Sequence, residues 1–402
     1  MPATLRFFVT LTALLLLGST WALAEKKYGP GVTDTEIKIG QTMPYSGPVS
    51  LNSSTGKTMA AYFAKINDEG GVNGRKIRLS SLDDGYSPPK TMEQTRRLVE
   101  QEEVLLIFGS LGTPTNLSTH KYLNAKGVPQ LFITTGVTKF GDPKNFPWTM
   151  GFTANFATES AAYASYILRH HPNGKIAILY QNDDYGKDLL NGIKNGLGDR
   201  AAKMIVAEAS YEVTDPTVDQ QIITLSSSGA DIFMDFTTPK AGAQALRKVH
   251  DIGWHPLHFL ARPATSVSGT LKPVGLDKAV GVISATYDKD PGDPQWASDA
   301  GVRAYLAFMK NYYPEADPGD FNNILGYDEA MALVQVLKQC GDDLSRENVM
   351  RQAATLKGVT LPMLLPGITV NTSPSDYFPI KQLQLQRFDG TRWVRLGEVI
   401  GN

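Results

Sequence analysis

The sequence predicts an α/β protein of two doubly wound, Rossmann-like lobes. Three observations lead there. Strand-like and helix-like patterns alternate along most of the chain, in two separate series. The chain has 402 residues, more than the roughly 250 to 300 at which a single core stops growing. After the second series come two long helices and a terminal hairpin, so the chain returns to lobes already built.

The first series opens with the alternating stretch Ile37-Lys38-Ile39-Gly40, an initial strand. Met59, Tyr62, Phe63 and Ile66 then recur at i, i+3, i+4 and i+7, which is one buried face of a helix. Asn73-Gly74 turns the chain into a strand over 77–82. Ser87 before Pro88 reads as an N-cap with proline at the first helical position, predicting a helix to about residue 102. A strand over 104–108, a helix over 115–126 and a strand over 130–134 complete the series.

The second series begins near Phe156 with a helix carrying Tyr163, Tyr166, Ile167 and His170 on one face. Residues 175–180 form a near-continuous apolar strand, the kind buried on both sides of a parallel sheet. Helices over 186–197, 218–228 and 241–252 alternate with strands over 204–209, 232–236 and 258–261. Beyond a strand at 282–285, one long helix groups Val302, Tyr305, Leu306 and Met309, and another groups Leu333, Val334 and Leu337. Strands over 383–388 and 393–399 flank Asp389-Gly390 as a hairpin.

The N-terminus carries an export signal. Arg6 supplies the positive region, residues 7–17 an apolar core of about the usual 7 to 15 residues, and Ala22-Leu23-Ala24 a small-x-small cleavage site. Residues 1–24 are therefore expected to be removed, giving a periplasmic chain of 378 residues. The single cysteine is Cys340, so neither an internal disulfide nor a lipid-bearing cysteine after the cleavage site is expected. Without Arg6 the charge is 38 basic against 40 acidic residues, a net of −2. With no basic patch, nucleic acid is not an expected partner.

Catalytic and metal motifs fail on inspection. Gly56-Lys57-Thr58 resembles the end of a phosphate loop, but Leu51 stands where that loop needs glycine. Gly109-Ser110-Leu111-Gly112 lacks the first glycine of a nucleophile elbow, Phe108 taking its place. His250, His255 and His258 do not keep metal-ligand spacing, with Pro256 between them, and a structural role is expected. Asp83-Asp84 and Asp183-Asp184 follow strands where α/β proteins place ligands. Asp at this point more commonly caps the next helix or fixes the turn. No catalytic residue, metal or cofactor is expected.

Several segments together carry a resemblance. They are Ile39-Gly40 with Ser46-Gly47-Pro48, Ile66-Asn67 with Gly70-Gly71-Val72-Asn73-Gly74, Asp83-Asp84 with Pro88, Phe108-Gly109 with Thr113, Tyr180 with Asp184-Tyr185-Gly186, and Gly326-Tyr327. In order and spacing the chain resembles the leucine/isoleucine/valine-binding family of periplasmic solute receptors for ABC transporters, over essentially all of 25–402. The resemblance implies a two-lobed periplasmic binding protein clamshell with three crossing segments, near Thr153, Ile283 and Leu365. The first lobe would then hold 25–153 with 284–365, and the second 154–283 with 366–402. It also implies a small-molecule ligand, an ABC permease as partner, and a monomer that binds without turnover. A ligand-sensing component of a regulatory or chemoreceptor system is the rival.

Carried across, Gly112 and Thr113 match the loop that grips a ligand carboxylate. Thr113 precedes Pro114 at a predicted helix start, so its hydroxyl and nearby amides suit an anion, or the hydroxyl simply caps the helix. Gly136 and Thr138 match the second loop of that lobe, Ser46 and Asn52 the first, and Tyr185 the aromatic wall of the other lobe. Family members that bind amino acids place an acid just after the strand matching 258–261, to pair with the ligand ammonium. Here the chain reads Arg262-Pro263-Ala264. A buried ammonium without a counter-charge is costly, which disfavours a simple amino acid and leaves a branched-chain amino acid or amide receptor as an alternative. Arg262 offers instead a planar fork suited to a carboxylate, or else a salt bridge. With aromatic residues in the expected walls, the favoured ligand is an aromatic carboxylate. The family's first-lobe disulfide would fall at Tyr86 and Gly112, where this chain has no cysteine.

Overall fold

A computed structural model describes residues 26–401; the predicted export signal lies outside the described residues. The first sheet is parallel and holds β2 (Glu36–Met43), β3 (Lys76–Asp83), β4 (Leu106–Phe108), β5 (Gln130–Ile133) and β6 (Thr149–Gly151), in the order β3-β2-β4-β5-β6. Upstream, β1 (Lys27–Tyr28) lies outside this sheet. The second sheet contains β7 (Ile176–Gln181), β8 (Ile205–Tyr211), β9 (Ile232–Phe236), β10 (Leu257–Leu260) and β11 (Ile283–Thr286). A two-residue strand, β12 (Asp343–Leu344), pairs with β1. The last strands, β13 (Leu383–Phe388) and β14 (Trp393–Ile400), join the second sheet, ordered β14-β13-β11-β10-β9-β7-β8. β13 and β14 run antiparallel, at the edge where a terminal hairpin can add without a crossover.

Both sheets follow from burial. β4, β5 and β9 are buried along their whole length, as expected of strands covered by helices on both faces. In the first lobe, helices Ser54–Asp68, Ala300–Tyr312 and Phe321–Cys340 cluster around Tyr62, Tyr305, Phe308 and Tyr327. Tyr62 and Tyr327 meet edge to face at 5.2 Å, a geometry aromatic rings favour. Gly326 lets two of these helices touch: a Cβ there would lie 2.4 Å from the Thr55 carbonyl oxygen. The Gly326-Tyr327 pair is thus a packing device, glycine for the approach and tyrosine for the core.

Some elements differ from the sequence reading. The helix expected to reach residue 102 ends as Pro88–Arg96 and widens into a π turn over Arg97–Gln101. Ser87 holds the N-cap position without a side-chain capping bond; Asp84 organises that turn instead, accepting from the Tyr86 amide and the Thr91 hydroxyl. Asp183 does cap its helix, accepting from the Tyr185 and Gly186 amides. Three-residue β6 has too few residues to show a period.

The chain crosses between lobes three times, and two of the expected positions move. The first crossing follows β6, where Phe152 to Asn155 lead into helix Phe156–His170. The second was expected near Ile283, but Ile283 to Thr286 pair with β13 inside the second sheet, so the crossing is the next segment, Tyr287 to Lys289. The third was expected near Leu365. There the chain is still bound to the second crossing, through the Leu365 amide on the Tyr287 carbonyl and the Lys289 amide on the Met363 carbonyl. It then stays on the first lobe as far as Tyr377, whose hydroxyl donates to the Pro147 carbonyl, and crosses just before β13. Backbone pairing between two straps holds them in place beyond their last apolar signal.

Gly326→Ala is expected to destabilise the protein by about 2 kcal/mol, a typical overpacking cost. Urea unfolding of the variant checks this; an unchanged midpoint would show that the helices part freely.

Candidate functional site

Where the lobes meet, a partly open cavity lies between them, the kind of interdomain concavity where small-molecule sites form. It lies over the C-terminal ends of parallel strands from both sheets, where open α/β folds bind ligands. Apolar and aromatic side chains from both lobes make most of its wall, among them Val49, Tyr86, Phe156, Tyr185, Phe321 and Leu325.

Of the predicted site residues, Asn52, Gly112, Thr113, Tyr185 and Arg262 line this cavity. Thr113 opens helix Thr113–Lys126 and its hydroxyl does not cap that helix. It lies 2.6 Å from the Thr135 hydroxyl. Two hydroxyls that share one hydrogen bond keep a second proton free to donate, beside a helix N-terminus whose first amides favour an anion. Asn116 fixes the loop by donating to the Gly112 and Ser110 carbonyls. Gly112 has φ +109°, and a Cβ on it would lie 2.5 Å from the Tyr86 ring. At the two positions where the resemblance placed a disulfide, a ring instead lies on a glycine.

Tyr185 packs its ring 5.1 Å from that of Phe156 and spends its hydroxyl on the Thr237 carbonyl. It offers the cavity a flat apolar face.

Ser46, Gly136 and Thr138 are not brought to the cavity wall. Asp83 draws Ser46 away by accepting from both its amide and its hydroxyl. These bonds, with Lys90, hold the Asp83 carboxyl well below the usual carboxylate range despite some desolvation. Gly136 packs under the first crossing: its carbonyl accepts from the Phe156 amide, and a Cβ there would strike the Ala154 carbonyl at 2.2 Å. Thr138 reaches the other lobe, its amide and hydroxyl both donating to Asp188 Oδ2, at 2.9 and 3.0 Å. Beside it Lys139 pairs with Asp184. These two contacts latch the first-lobe loop onto helix Asp184–Leu197, outside the cavity.

Arg262 makes the salt bridge rather than a free fork. Its guanidinium is buried and donates to Asp288 in the second crossing, with the rings of Tyr287 and Phe321 at 4.0 and 5.0 Å. Burial pushes the Asp288 carboxyl up, and the Arg262 charge beside it works against that shift.

Sequence reasoning missed three groups. Glu159, on helix Phe156–His170, lines the same corner and accepts from the Arg262 amide at 3.0 Å and the Tyr163 hydroxyl at 2.8 Å. Both bonds fall on Oε1, and burial raises its pKa while these donors lower it. So the corner is not without an acid; the acid comes from another element. Glu329 is buried with its carboxyl 3.0 Å from the Thr134 hydroxyl, and burial pushes its pKa well above the ordinary value. Tyr287, in the second crossing, also faces the cavity. The visible signal for Glu159 was an acid four residues before Tyr163 on an otherwise apolar helix face.

His258 is buried, with Nε2 3.1 Å from Asp235 Oδ2; the acidic partner absent nearby in sequence comes from the neighbouring strand β9. Among the described residues no cluster of three or more His, Cys, Asp or Glu is placed to hold a metal, and no helix is long and apolar enough to cross a membrane.

The sequence profile of the periplasmic binding protein family matches residues 36–392. Among curated relatives, "Leu/Ile/Val-binding protein homolog 7" of Brucella abortus (strain 2308) is 24% identical over 331 residues, covering 79% of this chain and 81% of that protein. "Leu/Ile/Val-binding protein homolog 1" of the same organism is 24% identical, with 89% and 91% covered. Among solved structures, a branched chain amino acid ABC transporter from Thermus thermophilus with bound valine superposes with TM-score 0.82 at 17% identity, covering 92% of this chain and 98% of that one. A fatty acid ABC transporter substrate-binding protein from Thermomonospora curvata does so with TM-score 0.78 at 18% identity, covering 94% and 95%. At such identities the structures share the two-lobed fold alone, and their ligands differ.

Two outcomes follow from the geometry. Arg262→Ala should cost about 3 to 5 kcal/mol of unfolding free energy, because it strands the buried Asp288 carboxylate, while Arg262→Leu with Asp288→Leu should recover most of that loss. Denaturant titration of the single and double variants reads both values; equal losses would show that the pair is not the relevant contact. Asp188→Ala should leave stability within about 1 kcal/mol yet speed ligand release severalfold, since its bonds to Thr138 require the lobes to be together. Stopped-flow dissociation that is unchanged in this variant would remove Thr138 and Asp188 from the closure.

Proposed function

The chain belongs to the periplasmic binding protein family, of the leucine/isoleucine/valine-binding type, and we propose that it delivers an aromatic carboxylate to an ABC importer. The family binds solutes rather than transforming them. The observation that carries the ligand class is the Thr113–Thr135 hydroxyl pair at a helix N-terminus, facing a cavity with aromatic walls from both lobes. The hydroxyl pair and adjacent amides take the carboxylate, and Phe156, Tyr185 and Tyr86 enclose the ring. Arg262, held by Asp288, lends its positive charge to the far wall without being the primary grip. The permease partner, the monomeric state and periplasmic delivery through the export signal belong to the same proposal.

Binding then works by differential affinity. Contacts made by both lobes exist only when the lobes are together, so the ligand shifts the equilibrium toward that form. The permease reads the resulting shape.

A second reading has one observation in its favour. Glu159 has a carboxylate oxygen, Oε2, without a protein hydrogen-bond partner among the described residues, and Glu159 lines the cavity. It can serve as counter-charge to an ammonium, which would make the ligand a branched-chain amino acid, as the names of the relatives suggest. Against it, burial favours the neutral form of Glu159.

A thermal-shift screen against aromatic acids, branched-chain amino acids, short aliphatic acids and amides separates the readings. A ligand at about 100 times its dissociation constant adds roughly 2.7 kcal/mol. Stabilisation by aromatic acids is expected; stabilisation by leucine or valine alone would transfer the assignment to the second reading. Thr113→Val should weaken binding of the stabilising acid roughly 10- to 100-fold, the worth of a hydrogen bond to a charged group, in calorimetric titration. Undiminished affinity would dismiss the hydroxyl pair as the grip.

A further inference from the structure

Three buried polar atoms on the cavity wall have no hydrogen-bond partner among the described residues: the Tyr287 hydroxyl, Thr153 Oγ1 and Asn52 Oδ1. Several other polar groups around the cavity have partners. Tyr185 donates to Thr237, Tyr163 to Glu159, and Thr113 bonds to Thr135. Buried polar groups in native proteins are overwhelmingly hydrogen-bonded, and one without a partner costs about 1 to 3 kcal/mol. A receptor can carry that cost where the ligand supplies the missing partner.

The placement of the orphans narrows what the partner is. Tyr287 and Thr153 lie in the two crossing segments beneath the cavity, whereas Asn52 comes from the loop after β2. Tyr287 is only 2% exposed and its ring is clamped against the Arg262 guanidinium at 4.0 Å, so its hydroxyl cannot swing out to solvent. A tyrosine or threonine hydroxyl both donates and accepts, while an amide oxygen only accepts. A hydroxyl, which both donates and accepts, can pair with any of the three, and an arylamine is its competitor.

Resting on the aromatic-acid reading, we infer that the cavity reads a second polar group at the far end of the ligand, and that the ligand is a ring-hydroxylated aromatic acid. The hydroxyl pair of Thr113 and Thr135 takes the carboxylate. Tyr287 takes the ring hydroxyl. A ligand with both groups is held from the first lobe and from the crossings at once.

Tyr287→Phe tests this, because it removes one oxygen and keeps the ring on Arg262. Calorimetric titrations with benzoate, 3-hydroxybenzoate, 4-hydroxybenzoate and 4-aminobenzoate are run on wild type and variant, with ligand-free melting temperatures alongside. Wild type is expected to prefer a hydroxylated acid over benzoate by about tenfold, the worth of one such bond. The variant is expected to lose that preference, bind benzoate as wild type does, and melt at the same temperature or higher. A melting temperature that falls would mean that the hydroxyl has a structural role instead, and equal binding of benzoate and both hydroxybenzoates by wild type would overturn the inference. Preference for the amino compound would overturn it in favour of an arylamine ligand. If benzoate binds and the preference survives in the variant, the aromatic-acid reading stands and the role of Tyr287 falls; if no aromatic acid binds wild type, both fall.

Discussion

The buried Arg262–Asp288 pair is the contact on which the rest of the site depends. Arg262 follows the last residues of β10 in the second lobe, and Asp288 lies in the strap that leaves that lobe. Joining them fixes the floor of the cavity to the hinge. Two charges taken out of water repay their desolvation only when both are paired and further hydrogen-bonded. Here the guanidinium also stacks on Tyr287 and Phe321, and the Arg262 amide engages Glu159. One residue therefore positions an aromatic wall, an acid and a crossing segment together.

This arrangement divides the work of recognition. A cation already neutralised by its own carboxylate is a weak competitor for a ligand carboxylate, so in the proposed mode of binding the anion grip falls to neutral donors, the paired hydroxyls and the helix start. Neutral grips suit a transport receptor, which must release what it binds. The interlobe contacts of Thr138 with Asp188 and Lys139 with Asp184 lie outside the cavity, at half-exposed sites where each is worth little alone. They can trim the balance between joined and parted lobes without fixing it.

Much of the fold was legible because its signals are local. The buried face of Met59, Tyr62, Phe63 and Ile66, the apolar run of β7 and the Asp389-Gly390 hairpin each declare themselves within one element. The crossing positions were less legible. β11 shows nothing in its own four residues to say which sheet it joins, and residues after Leu365 remain on the first lobe through backbone bonds that any sequence can make. The site divided the same way. Thr113 and Tyr185, which line the cavity, stand on loops with a readable pattern, while Ser46 looked equally available until Asp83, 37 residues away, took both its donors. Glu159 and Arg262 are 103 residues apart and meet only through the fold, which is why the corner looked acid-free in sequence.

A crystal structure of the protein soaked with the aromatic acid that stabilises it most tests the account at its centre. The carboxylate is expected against the Thr113 and Thr135 hydroxyls at the start of helix Thr113–Lys126, the ring between Phe156 and Tyr185, and Arg262 still paired with Asp288. A carboxylate seated on Arg262 with Asp288 displaced, or a ligand outside the interlobe cavity, would contradict it.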